Sequence, residues 1–379
     1  MIYADMAATT PLDPVALRAM LPYLENDFYN PSAVYPDAVY VKRALHRSRA
    51  KVAQAIGAAP NEIYFTSGGT EADNWVLKDR IYSAPYHIIT TRIEHKAILN
   101  ACQVLEAFGW QVTYLPVDHT GLVDPAVLEA AIEPGHTKLV SIMLANNEVG
   151  TIQPIKELAE IAHKNGAAFH TDAVQAVGHI PVDVEELGVD FLSLSGHKFG
   201  GPKGTGALYV RKSAPMHPLI DGGGQEWGLR SGTENVPGIV GMGAAIEHAV
   251  SFITEDAEEV SAKRDMLVKQ ILSEVPGVAL TGAEHNRLPG HASFIVDGVD
   301  SETLVMDLGN KGIYVSAGSA CTSSNGKPSY VLKAMGYTDR QAWCSLRITI
   351  GAETRLAEVK EIAAAVTSSI RTLRGEGVR

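Results

Sequence analysis

The segment Leu192-Ser-Leu-Ser-Gly-His-Lys-Phe-Gly-Gly-Pro-Lys-Gly-Thr-Gly-Ala-Leu-Tyr209 carries a serine, a histidine and a lysine off a short apolar run, then breaks into glycines. Phe191, Leu192 and Leu194 predict a buried strand, and the glycine–proline cluster a turn where backbone approaches a ligand. A lysine leaving such a strand is partly desolvated, which disfavours its charged form and frees the amine as a nucleophile. Ser195 and His197 beside Lys198 are suited to hold an anion. A nucleophilic amine beside an anion site is what pyridoxal phosphate (PLP) chemistry needs. Taken singly, Lys198 is more often a solvated surface charge. A nucleotide P-loop is excluded, because Pro202 separates Gly201 from Lys203 and G-x-x-x-x-G-K-[ST] is not met.

Other segments add compatible groups, each with a plainer reading beside it. Thr66-Ser-Gly-Gly-Thr70 joins a predicted strand to a helix, so it either cradles a phosphate on free amides or is a turn with Thr70 as cap. His170-Thr-Asp-Ala-Val-Gln175 puts Asp172 at a strand end, where it either pairs a pyridinium nitrogen or caps the next helix. His95, after another β-run, is suited to stack on a ring or to a structural role. Cys321 lies in Ser316-Ala-Gly-Ser-Ala-Cys-Thr-Ser-Ser-Asn-Gly-Lys-Pro328, a small, polar stretch that predicts an exposed, reactive thiol. Cys102 and Cys344 have apolar neighbours and read as packing residues. Arg347, between Leu346 and Ile348, fits a carboxylate clamp or a surface salt bridge.

The elements that must position these groups follow a βαβ rhythm. Apolar runs at Glu62–Thr66, His87–Thr91, Gln111–Leu115, Leu139–Leu144, Ala167–His170 and Phe191–Leu194 alternate with helical patterns, which predicts a largely parallel sheet covered on both faces. Asp13-Pro14 opens a helix with Leu17, Met20, Leu21 and Leu24 on one face. After about Gly243 a long charged helix, Ile246 to Glu274, leads to a smaller α+β unit with strands at Ala292–Val296, Ile313–Ser316 and Ser345–Ile350. The expected division is 12–250 for a large cofactor-binding domain, with 1–11 and 251–379 forming a small one. The 379 residues carry a net charge of -11 without a basic tract, which argues against direct nucleic-acid binding. Three scattered cysteines argue against a disulfide framework or cysteine-rich zinc site, and no metal is expected. The N-terminus lacks a signal-peptide pattern, and the apolar window Val236–Phe252 is interrupted by Pro237, Glu247 and His248, so a cytoplasmic protein without a membrane span is expected.

The ordered motifs Asp5-x-x-Ala8-Thr9-Thr10, Asn30-Pro31-Ser32, Thr66–Glu71, Glu94-His95, Asn146-Asn-Glu-Val-Gly150, His170–Gln175, Ser195–Lys198, Gly222–Glu226, Arg230–Asn235 and Gly318-Ser-Ala-Cys321 closely resemble the NifS/IscS-type cysteine desulfurases of the class V aminotransferase group. The resemblance runs nearly end to end. It implies an α/β PLP-dependent transferase of fold type I, with a mainly parallel seven-stranded sheet, a smaller α+β domain, and a homodimer with active sites at the subunit interface. It implies Lys198 as Schiff-base lysine and proton shuttle, His95 stacked on the pyridine, Asp172 on its nitrogen and Gln175 on its phenolic oxygen. Gly69, Thr70, Ser195 and His197 would hold the phosphate, with Thr233 from a second subunit. Asn147 and Arg347 would hold the substrate carboxylate, Asn147 also lying near the cofactor oxygen.

The implied reaction takes sulfur from L-cysteine onto Cys321 as a persulfide, releases L-alanine, and passes the sulfur to an acceptor protein such as an iron–sulfur scaffold or a dedicated relay. Selenocysteine lyase or an aminotransferase-like activity is the competing expectation on the same scaffold, and Cys321 separates them. The spacing after Cys321 resembles the long-loop subgroup. Met6, Tyr35, Trp227 and Ala352 depart from the family's usual residues, and the chain stops at Arg379, short of the tail that docks the scaffold in IscS-type members. A NifS-like or dedicated sulfur-delivery role is therefore expected.

Overall fold

Alternating apolar runs and helices build a sheet with helices on both faces. The computed structural model describes residues 1–79, 86–318 and 327–376. Its strands are β1 (Ile2–Tyr3), β2 (Ile63–Thr66), β3 (His87–Thr91), β4 (Gln111–Leu115), β5 (Thr137–Ser141), β6 (Ala168–Asp172), β7 (Phe191–Ser195), β8 (Gly206–Val210), β9 (Val278–Leu280), β10 (His291–Val296), β11 (Ile313–Tyr314) and β12 (Ser345–Thr349). Seven form one sheet in the order β2-β8-β7-β6-β5-β3-β4, in which β8 runs opposite to the other six. Alternate side chains feed opposite faces: Ile89, Val140, Phe169 and Leu192 enter one buried cluster, and Ile88, Leu139 and Phe191 the other. Burial on both faces explains why these strands read as continuous apolar runs.

The second half of the chain adds the antiparallel sheet β12-β10-β9 and its own core of Phe294, Leu346, Ile348 and Val366. The parallel β1–β11 pair, with bonds from Thr349 N to Ala4 O and Met6 N to Thr349 O, fastens the N-terminal residues to this half.

The structure revises several expectations. The strand expected at Leu139–Leu144 is Thr137–Ser141, because the Glu94 carboxylate captures the Met143 amide at 3.1 Å and takes it out of the ladder. β6 runs on to Asp172, two residues past the expected end. β8 was hidden by the glycine that opens it: a Cβ on Gly206 would lie 2.6 Å from both Gly68 Cα and Leu194 O, so the strand needs glycine for close packing. The long helix expected at Ile246–Glu274 is two helices, Val236–Ser251 and Ile253–Glu274, bent by 71°. The first packs on helices Pro14–Glu25 and Pro36–Ala55, and the second on helix Leu356–Leu373 and β9. One straight rod cannot serve both cores, so Phe252 leaves the helical region at φ −125°, ψ 17°. Among the described residues no single helix is long and apolar enough to cross a membrane; that bent pair passes only on length and composition.

Candidate active site

A cleft of about 560 Å³ opens beyond the carboxyl ends of the parallel strands, the usual place for ligands in such sheets. Gly69 and Thr70 begin the helix Gly69–Asp79 after β2; His95 follows β3; Asn147 follows β5; Asp172 ends β6 and Gln175 follows it; Ser195 ends β7, with His197 and Lys198 in the turn after it; and Arg347 comes across from β12. All of these expected residues line the one cleft. Thr233 is exposed and outside this lining, and Cys321 lies outside the described residues.

The N-terminal segment underlies the lysine. Lys198 Nζ donates to Ala7 O at 2.5 Å and Ala8 O at 2.9 Å, and Gln175 Nε2 donates to Ala7 O at 3.0 Å. Thr10 Oγ1 donates to His197 O, and the Gly200 amide donates to Thr10 Oγ1, fixing the turn that carries Lys198. These backbone acceptors were not predicted, since a carbonyl leaves no mark in a sequence. Only the Asp5–Thr10 motif pointed to this segment.

Electrostatics set the histidines and acids. Burial, with the charges of Lys198 and Lys203, holds His197 down to about 4, so its ring is neutral at pH 7 and meets an anion as a hydrogen-bond donor. His197 Nδ1 lies 3.0 Å from Thr9 Oγ1. His95 is also lowered by burial, against the pull of Asp172. Its Nδ1 accepts from Ala97 N at 3.2 Å, capping the helix Lys96–Ala107 and leaving the neutral ring's proton on Nε2. Burial raises Asp172, while His95, the Val174 amide and Lys198 pull it down.

At the anion end, the first amides of helix Gly69–Asp79 have no preceding turn to bond. A Cβ on Gly69 would sit 2.5 Å from Val174 Cγ2, so only glycine leaves the approach open. At the opposite end Arg347 is 3% exposed, which rules out the surface salt-bridge reading. Its Nη2 bonds Asp5 Oδ1 at 2.7 Å and its Nη1 bonds Asn147 O at 2.9 Å. Arg347 Nε and Asn147 Oδ1 are buried without a partner.

Sequence reasoning also missed Glu148, which burial pushes up to about 7 and which accepts from Ser329 Oγ at 2.5 Å. Lys96, whose Nζ lies 3.6 Å above the Tyr330 ring, lines the cleft as well. Asp73, in the cleft wall, had no signal beyond its place in a helix. The two packing cysteines are as expected: both are buried, and burial drives the Cys102 thiol up to about 12. Of the departures, Met6 and Ala352 line a separate cavity of about 400 Å³, and Tyr35 and Trp227 are exposed outside the cleft.

The model of the class-V aminotransferase family matches residues 2–362. The chain is 47% identical to "Cysteine desulfurase IscS" of Methanosarcina thermophila, covering 98% of this chain and 93% of that one. A solved NifS-like protein superposes with a TM-score of 0.91 at 38% identity, covering 98% of this chain and 99% of the other. A structure described as SspA in complex with cysteine superposes with a TM-score of 0.83 at 36% identity, covering 93% and 99%.

Proposed function

The chain belongs to the class-V aminotransferase family, and we infer that it is a PLP-dependent cysteine desulfurase, converting L-cysteine to L-alanine and passing the sulfur to an acceptor protein. The observation that carries this reading is the convergence of Lys198, Asp172, His95, the Gly69–Thr70 helix start and Arg347 on one cleft. The donor set fits PLP: an amine, a carboxylate for a ring nitrogen, and a phosphate cup of helix amides with Ser195 and His197. The unpartnered Arg347 Nε and Asn147 Oδ1 are buried polar atoms suited to a ligand.

When bound, PLP supplies an electron sink for negative charge at the substrate's Cα. Lys198 would hold the cofactor covalently and, once displaced, carry the Cα proton; positioned proton transfer of this kind contributes roughly 10²–10⁴-fold. Asp172 would keep the ring nitrogen protonated, Gln175 would meet the phenolic oxygen, and His95 would cover the ring. Asn147 and Arg347 would orient the substrate carboxylate. The Cys321 thiolate would attack the substrate sulfur, forming an S–S bond as the C–S bond breaks and leaving a persulfide.

Thr233 would reach the phosphate of a second copy's site, which makes the working unit a homodimer. The cytoplasm is its proposed location. The proposed division keeps 12–250 as the cofactor-binding part, with 1–11 and 251–379 as the smaller part; the β1–β11 pairing and the bend at Phe252 support it. The test is Cys321→Ser: the variant should keep the PLP absorbance and stop releasing sulfide from L-cysteine. Undiminished desulfuration by that variant would overturn the persulfide route.

A further inference from the structure

Beneath the cleft a row of buried polar side chains crosses the sheet. His170 and Asp172 share a face of β6 because they are two residues apart; Ser141 of β5 pairs with His170, and Ser193 of β7 pairs with Asp172. His170 is fully buried, with Nδ1 2.8 Å from Ser141 Oγ and Nε2 3.0 Å from Ser193 Oγ. Helix Gly69–Asp79 covers this face and lowers Asp73 onto the row, where it is 1% exposed. Asp73 Oδ1 has no hydrogen-bond partner, and its distance to His170 Nε2, 3.8 Å, is too long for one.

Among the described residues, the side chains that act on Asp73 include no cation. β6 contributes Asp172 and His170, β7 the Ser193 hydroxyl, and the turn after β3 adds Glu94. Burial holds His170 to about 3, so that ring is neutral. The apolar side of helix Gly69–Asp79 (Ala72, Trp75, Val76, Leu77) shares a buried cluster with Cys102, Leu208 and Tyr64, which adds no cation. The positive charge of Lys198 and the ring of His95 act on Asp172. Burial raises Glu94 to about 8, so it is protonated at neutral pH, and the remaining two carboxyls, buried without a cation for each, cannot both ionise cheaply.

We propose that Asp73 and Asp172 share a single proton that resides on Asp73, making Asp73 a positioning residue that leaves Asp172 as the one charge facing the cofactor's ring nitrogen. The low-dielectric setting agrees with this, since burial and the Asp172 charge push the Asp73 carboxyl well up against the opposing hydrogen bond from Ser193. Its functional meaning rests on the desulfurase reading, but the shared proton is a property of the empty protein and is measured there.

The experiment compares cofactor-free wild type with Asp73→Asn. Folded Asp73 keeps its proton while the unfolded chain loses it above about pH 4, so the unfolded state binds fewer protons and wild-type stability falls as pH rises. The folding constant of Asp73→Asn relative to wild type should therefore rise about tenfold per pH unit between about pH 5 and 7, measured by urea unfolding. A ratio that stays flat or falls with pH overturns the proposal. Infrared spectra of folded wild type at neutral pH provide an independent check. Beside the contributions of Glu94 and Glu148, which burial raises to about 8 and about 7, the protonated-carboxyl absorption should lose one component in Asp73→Asn that Asp172→Asn retains; an absorption unchanged by Asp73→Asn, or a component lost only in Asp172→Asn, overturns it.

Discussion

Arg347 spends two of its donors inside the protein, on Asp5 and on the Asn147 carbonyl, and keeps Nε for a ligand. That pre-orientation depends on a planar fork, which a lysine ammonium cannot reproduce. Arg347→Lys should therefore raise the KM for L-cysteine about 10- to 100-fold, the range expected for losing one charged hydrogen bond, with a smaller effect on kcat. Steady-state kinetics on the PLP-loaded protein check it, and an unchanged KM would remove Arg347 from carboxylate binding. Residue identity made this group visible early, because an arginine between two apolar strand positions has few purposes. Its partner Asp5, 342 positions away, could not be foreseen.

At the scale of elements, the turn Glu226–Trp227 shows how a strained backbone is held. Both residues have left-handed φ, 47° and 56°, which costs non-glycine residues of order 1–3 kcal/mol each. Arg49 holds the turn with two bonds of 2.6 Å to Glu226, and its guanidinium lies between the Phe65 and Trp227 rings at 4.4 and 4.5 Å. Glu226 also accepts from Phe65 N. The tryptophan at 227 thus has a task of its own, as a stacking lid on the buried ion pair. Glu226→Ala leaves the buried Arg49 charge without its carboxylate, with only the Ile63 carbonyl still accepting from it, so it should destabilise the protein by about 3–5 kcal/mol in urea unfolding. A loss under about 1 kcal/mol would mean that the turn is held by other contacts.

At the scale of the whole molecule, the exposed Thr233 requires a second copy if it is to touch a phosphate. Sedimentation should give twice the chain mass, and Thr233→Ala should weaken PLP retention although Thr233 does not line its own chain's cleft. A monomer, or unchanged PLP affinity, would count against the shared site. The sequence by itself determined the α/β plan, most strand positions and the identity of the chemical groups, because apolar periodicity and motif spacing are local properties. It could not determine that β8 is a strand, that the charged helix breaks at Phe252, or that Ala7 and Ala8 receive the lysine. Those follow from long-range packing: a glycine forced by a neighbouring backbone, a rod bent to serve two cores, and carbonyls aimed by a distant strand pairing. The protonation of Asp73 belongs to the same class, because only the packing of helix Gly69–Asp79 on the sheet buries that carboxyl where the Asp172 charge acts on it.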